Sequence, residues 1–138
     1  MSTERGPRRA LFLVLGGLAA IWAAAVAGGR WFDLVEVRGR SMAPALLPGD
    51  RLLVEGLTYR RRAPRTGEIV LAPDPRHPER ELAKRIDHVD LSSHSVELLG
   101  DAPAASTDSR AFGPVELRDL RWRAALRVWP PGRIGRVE

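Results

Sequence analysis

Residues 81–88 read Glu81-Leu82-Ala83-Lys84-Arg85-Ile86-Asp87-His88. In an extended strand successive side chains point to opposite faces, so Leu82, Lys84, Ile86 and His88 share one face and Ala83, Arg85 and Asp87 the other. If Leu82 and Ile86 face a core, the Lys84 amine is carried into apolar surroundings, which lowers a lysine pKa. Outward from this run the same texture repeats, with short apolar stretches broken by Gly, Pro and Asp and no long helical period. Strands are predicted from Asp33 to Arg38, Arg51 to Glu55, Glu68 to Ala72, Glu81 to Asp87, Ser95 to Leu99 and Arg123 to Trp129. Leu47-Pro48-Gly49-Asp50, Arg65-Thr66-Gly67, Asp74-Pro75, Leu99-Gly100-Asp101 and Pro130-Pro131-Gly132 supply the turns. A mostly β domain is expected, of a size that suits a small sheet or barrel.

The first thirty residues differ from this. Ala10 to Gly29 is a twenty-residue stretch without charge, about the length a helix needs to cross a hydrocarbon layer of roughly 30 Å. Arg5, Arg8 and Arg9 precede it against one Glu4, which by the positive-inside tendency leaves the N-terminus in the cytoplasm. The expected organisation is a cytoplasmic segment 1–9, a transmembrane anchor 10–29 and an extracytoplasmic β-rich domain 30–138. A cleavable signal peptide competes, because Ala25-Val26-Ala27 resembles a small-x-small cleavage site. An apolar signal core usually has about 7–15 residues, and the greater length here favours a retained anchor.

Composition narrows the chemistry. The chain has 138 residues, a formal charge of +5 and no cysteine, which excludes a disulfide framework and a thiolate metal site. Arg60, Arg61, Arg62 and Arg65 cluster, but without interleaved aromatics, so the cluster reads as a solvated loop near anionic lipid rather than a nucleic-acid platform. His77, His88 and His94 have no metal-ligand spacing, and neither a metal nor another cofactor is expected. Of 22 basic residues only Lys84 is a lysine. Arginine stays protonated, so Lys84 has the one basic amine able to act as a general base. Ser41 stands at a strand-to-turn junction: Gly39 permits close approach of a substrate backbone, Pro44 stiffens the turn, and nearby backbone N–H groups could stabilise an oxyanion. Asp50 and Asp101 follow glycines in tight turns, where local backbone bonds are their usual work.

Four ordered blocks give these residues a shared context. Val37-Arg38-Gly39-Arg40-Ser41-Met42-Ala43-Pro44-Ala45-Leu46 with Pro48-Gly49-Asp50 comes first, then Gly67-Glu68-Ile69-Val70, then Ala83-Lys84-Arg85-Ile86. Gly100-Asp101-Ala102, Ser106-Thr107-Asp108-Ser109-Arg110 and Gly113-Pro114-Val115 form the fourth. Together they resemble the type I signal peptidase family, membrane-anchored serine proteases with a Ser/Lys dyad. The resemblance implies a small β-barrel-like catalytic domain behind one transmembrane helix, with Ser41 as nucleophile and Lys84 as general base. It further implies that Ser106 hydrogen-bonds and orients the lysine, that Asp108 and Arg110 form a supporting ion pair, and that Met42 and Pro44 shape the turn.

Ala45 stands where the family usually has Thr, Ala102 where it has Asn, and Asp87-His88 where Gly or a similar residue follows the lysine segment. Fifteen residues separate Lys84 from Gly100, too few for the inserted domain of many bacterial members and closer in size to mitochondrial inner-membrane peptidases. The implied protein is a bacterial, single-pass cell-membrane endopeptidase that removes signal or pro-sequences from exported preproteins, with preprotein and membrane lipid as partners. Short, Arg-rich members with a similar ending also resemble the subgroup linked to maturation of nickel superoxide dismutase, a dedicated-precursor alternative. Three further alternatives are a non-catalytic membrane-anchored β domain that binds a partner, a self-cleaving repressor protease without its DNA-binding helices, and His88 in place of Lys84 as base.

Overall fold

The computed structural model describes residues 6–137 and divides the chain into two units between Trp31 and Phe32. The first unit contains the helix α1, Gly6–Gly28. The expected anchor, 10–29, falls largely on this helix, and the side chains of residues 10–15 and 25 lie outside the described ones. Among the described residues no helix is long and apolar enough to cross a membrane.

The second unit is built on one seven-stranded sheet. Its strands are β1 (Phe32–Glu36), β2 (Arg51–Glu55), β3 (Ile69–Asp74), β4 (His77–Asp90), β5 (Ser95–Leu99), β6 (Val115–Glu116) and β7 (Trp122–Trp129). The order across the sheet is β1-β2-β7-β3-β4-β5-β6, every pairing is antiparallel, and β1 and β6 do not pair with each other. The sheet is therefore open, and the expected barrel is corrected to a sheet with two edges. The predicted mostly β class holds, and β2 and β5 have the expected bounds. The strand β6 was not predicted, since a two-residue strand carries no readable alternation. Nor was the single helical turn α2, Ser109–Phe112, which Asp108 caps by accepting from the Arg110 N–H.

Alternation along β3 explains why the sheet is buried on both sides. Ile69 and Leu71 join Met42, Leu46, Leu52, Val54 and Ala124 in one apolar cluster. Val70 and Ala72 face the other way and join Ile86, Val96, Leu98, Val115 and Leu120. Lys84 pairs with Val70 and belongs to this second face. The expected parity of β4 holds only as far as Ile86. A register shift between Ile86 and His88 places Val89 against the second cluster and leaves His88 exposed. A bulge adds one residue to a strand and reverses the faces beyond it, so His88 does not share the Lys84 face.

Several carboxylates are buried in this unit and satisfied. Glu55 accepts the N–H groups of Leu57 and Thr58 and the Nε of Arg123 at 2.8, 2.9 and 2.7 Å. Burial pushes its carboxyl up, but the Thr58 and Arg123 bonds outweigh that and bring it from 4.5 to about 2. Asp74, with no exposed surface, is brought from 3.8 to about 2, chiefly by Arg76. Both values are depressed, so the unfolded chain binds more protons at acid pH and the stabilisation is present above the unfolded value. Thermal unfolding across pH should therefore show stability falling from 4.5 down through about 2, and Glu55→Gln should be less stable at neutral pH while losing less on acidification.

Candidate active site

Ser41 lies in the turn that follows β1. Backbone bonds from Ala43 to Arg40 and from Leu46 to Met42, at 3.0 and 2.8 Å, wind residues 40–46 into a compact loop. Met42, 1% exposed, anchors the loop in the first apolar cluster. Pro44 and Ala45 present carbonyls to Arg133, 3.4 and 3.3 Å away, and Arg127 reaches the Ala45 carbonyl at 2.8 Å. Asp50 accepts the Leu47 N–H, as its turn position suggested, and also binds Arg133 at 2.9 Å and Arg127 at 3.5 Å. The Ser41 loop is thus tied to the C-terminal strand, a link over more than eighty residues that spacing alone could not disclose.

Lys84 arrives from the middle of β4. Its Nζ donates to Ser41 Oγ at 2.8 Å, and the residue is only 2% exposed. Burial lowers its pKa from the ordinary 10.5, and Arg110 acts in the same direction, while the charges of Asp108 and Asp74 pull it back up. The net direction is downward, toward an amine that loses its proton more readily than a solvated lysine.

The fourth sequence block closes over this contact. Asp108, 1% exposed, accepts the Ser106 hydroxyl at 2.6 Å, the Gly100 N–H at 2.9 Å and the Arg110 Nε at 2.9 Å. Arg110 is the first cause of its depressed pKa. The expected ion pair is present, but among the described residues Ser106 bonds Asp108 and not Lys84. Gly100 brings Ser106 and Ser41 together, because a Cβ there would lie 2.1 Å from Ser106 Oγ and 2.6 Å from the Ser41 carbonyl oxygen. That carbonyl accepts the Ala102 N–H at 2.9 Å. Asp101, expected to serve its own turn, instead forms a two-pronged ion pair with Arg85 at 2.8 and 2.7 Å.

A cleft of about 550 Å³ opens at Ser41 and Lys84. Residues 35–42 line it together with residues 79–84 of β4, and Leu52 and Leu71 add apolar surface. Gly39 lies on this lining with nothing within 4 Å of where its Cβ would stand. Two strand edges meet the cleft: β1 pairs with β2 alone, and β4 up to Lys84 pairs with β3 alone, since β5 joins it only from Arg85. Val35, Leu52, Leu71 and Leu82 as lining residues were missed at the sequence level, being indistinguishable there from other core aliphatics. Gly100→Ala should lower stability by about 1–3 kcal/mol through overpacking, read as a lower melting temperature, and should disturb Ser41 along with Ser106.

Several known proteins are similar to this chain in sequence. The profile described as signal peptidase, peptidase S26 matches residues 10–89, more than half of the chain. The chain is 40% identical over 121 residues to the mitochondrial ATP-independent inner membrane protease subunit 1a of Arabidopsis thaliana, covering 72% of each. It is 34% identical to the mitochondrial inner membrane protease subunit 1 of Xenopus tropicalis, with 75% of this chain and 72% of the relative covered. The subunit 2 protein of Mus musculus is 33% identical over 125 residues, 76% of this chain and 71% of the relative. The expected bacterial cell-membrane location is overturned by these relatives, which carry the name of the mitochondrial inner membrane. The matched profile and the extent of these likenesses establish that the chain belongs to the signal peptidase, peptidase S26, family.

Proposed function

We propose that this protein is a serine endopeptidase that cuts precursor proteins in an extended segment, with Ser41 as nucleophile and Lys84 as general base, carried by residues 30–138. The observation that supports this most directly is the 2.8 Å contact between Ser41 Oγ and the amine of the chain's sole lysine, buried beside the cleft. Neutral Lys84 takes the hydroxyl proton as Ser41 attacks the scissile carbonyl. The resulting ammonium gives that proton to the leaving amine, and water then releases the acyl group by the same exchange. Backbone N–H groups of the Ser41 turn would face the developing oxyanion. Asp108 and Arg110 hold Ser106 and the Gly100 backbone around the pair.

The two unpaired strand edges at the cleft support main-chain recognition of an extended peptide. Small residues at the first and third positions before the cut would fit the shallow apolar lining of Val35, Leu52, Leu71 and Leu82. Such pockets discriminate by only about 1–3 kcal/mol per methylene.

Cleavage of a precursor by the full chain tests the reading. Ser41→Ala and Lys84→Arg should each lose at least about a thousandfold in rate with folding unchanged, because Arg keeps the charge but cannot act as base. Full cleavage by Ser41→Ala would exclude Ser41 as the nucleophile, whereas no cleavage by the wild type, with precursor binding unchanged in Ser41→Ala, would favour a non-catalytic binding domain. For the wild type, kcat/KM should rise with pH as Lys84 loses its proton, with a midpoint below the 10.5 of an ordinary lysine.

A further inference from the structure

Asp74, at a predicted turn, is the last residue of β3, the strand that pairs with β4 at Lys84. Val70 pairs with Lys84 and Ala72 with Leu82, and Asp74, two residues further along β3, pairs with His77 after a register shift and lines the cleft with Lys84. All three β3 residues are buried, at 0, 2 and 0% exposure. A carboxylate at the end of an apolar row has to be compensated. Arg76 does this with its backbone N–H at 3.0 Å, its Nε at 3.1 Å and its Nη2 at 2.9 Å.

The arrangement repeats that of Asp108 and Arg110. There too an arginine two residues after a buried aspartate bonds it through its backbone N–H, Nε and Nη2. The two Asp-x-Arg units also approach each other, since the Arg76 guanidinium carbon lies 5.9 Å from the ring centre of Phe112, the last residue of α2. Asp74 and Arg76 line the same cleft as Ser41 and Lys84. The charged groups acting on the amine are thus Asp74 from β3, with Arg76 on it, and Asp108 and Arg110 from the α2 segment.

Resting on the reading of Lys84 as base, we propose that Asp74-Pro75-Arg76 is a second positioning pair for Lys84, the β3 counterpart of Asp108–Arg110. The Asp74 charge favours the ammonium, and Arg76 offsets part of that charge. The two substitutions therefore act in opposite directions. Asp74→Asn removes the anion and Arg76→Gln removes its compensating cation.

Because the chain holds one lysine, a protein labelled with 13C-lysine gives one 13Cε signal whose titration reads this amine without reference to activity. The midpoint should move to lower pH in Asp74→Asn and to higher pH in Arg76→Gln, and the rising limb of kcat/KM should move with it. An unmoved midpoint in folded Asp74→Asn overturns the proposal. Should that variant not fold, Arg76→Gln decides, its side chain being about half exposed, and an unmoved or lowered midpoint there overturns it. The Ser/Lys reading fails separately, if Ser41→Ala and Lys84→Arg cut like the wild type while the lysine midpoints still shift.

Discussion

The structure turns on keeping one amine out of water. Lys84 is buried beside Ser41, and a buried ammonium is unfavourable unless compensated, so the surroundings must both desolvate the amine and limit the penalty. Val70 and Ile86 on the same face supply the apolar surroundings. Asp108 and Asp74 supply opposing charge, each clasped by an arginine that restrains it. Burial prevails in this balance, and the lysine is left easier to deprotonate than one in solvent.

That requirement organises the loops. Ser41 must meet an amine from a strand more than forty residues later, so its loop is fixed on two sides. Met42 is buried in the first apolar cluster, and Arg127 and Arg133 hold the Pro44 and Ala45 carbonyls from the other end of the chain. Gly100 lets the Ser106 segment approach the Ser41 carbonyl where any side chain would collide. Asp101 and Arg85 lock the same loop to β4 next to Lys84. Departures from the family pattern at Ala45 and Ala102 leave these bonds intact, because both residues contribute backbone atoms, the Ala45 carbonyl and the Ala102 N–H.

In the proposed function an open sheet has a use. A closed barrel would pair every edge, whereas β1 and the first half of β4 reach the cleft with one edge unpaired. An extended peptide has its main-chain groups available to pair with such edges, so affinity can come from the backbone and selectivity from the small apolar lining.

Local patterning by itself determined the strands β2 and β5 and the mostly β class, because alternation and turn residues are properties of neighbouring residues, whereas the pairing of Ser41 with Lys84 came from the ordered blocks that resemble a family. Alternation also put Lys84 on a face with Ile86, and there it held. It failed for His88, since one inserted residue at a bulge reverses the face and leaves no mark in the residues around it. Tertiary structure alone decided that Ser106 turns to Asp108, that Asp101 reaches Arg85, that Asp50 gathers Arg127 and Arg133, and that Asp74 lines the cleft of Lys84. These are contacts between chain-distant charged or hydroxyl groups, each with several chemically equivalent partners in the sequence, and only the packing of the sheet selects which ones meet.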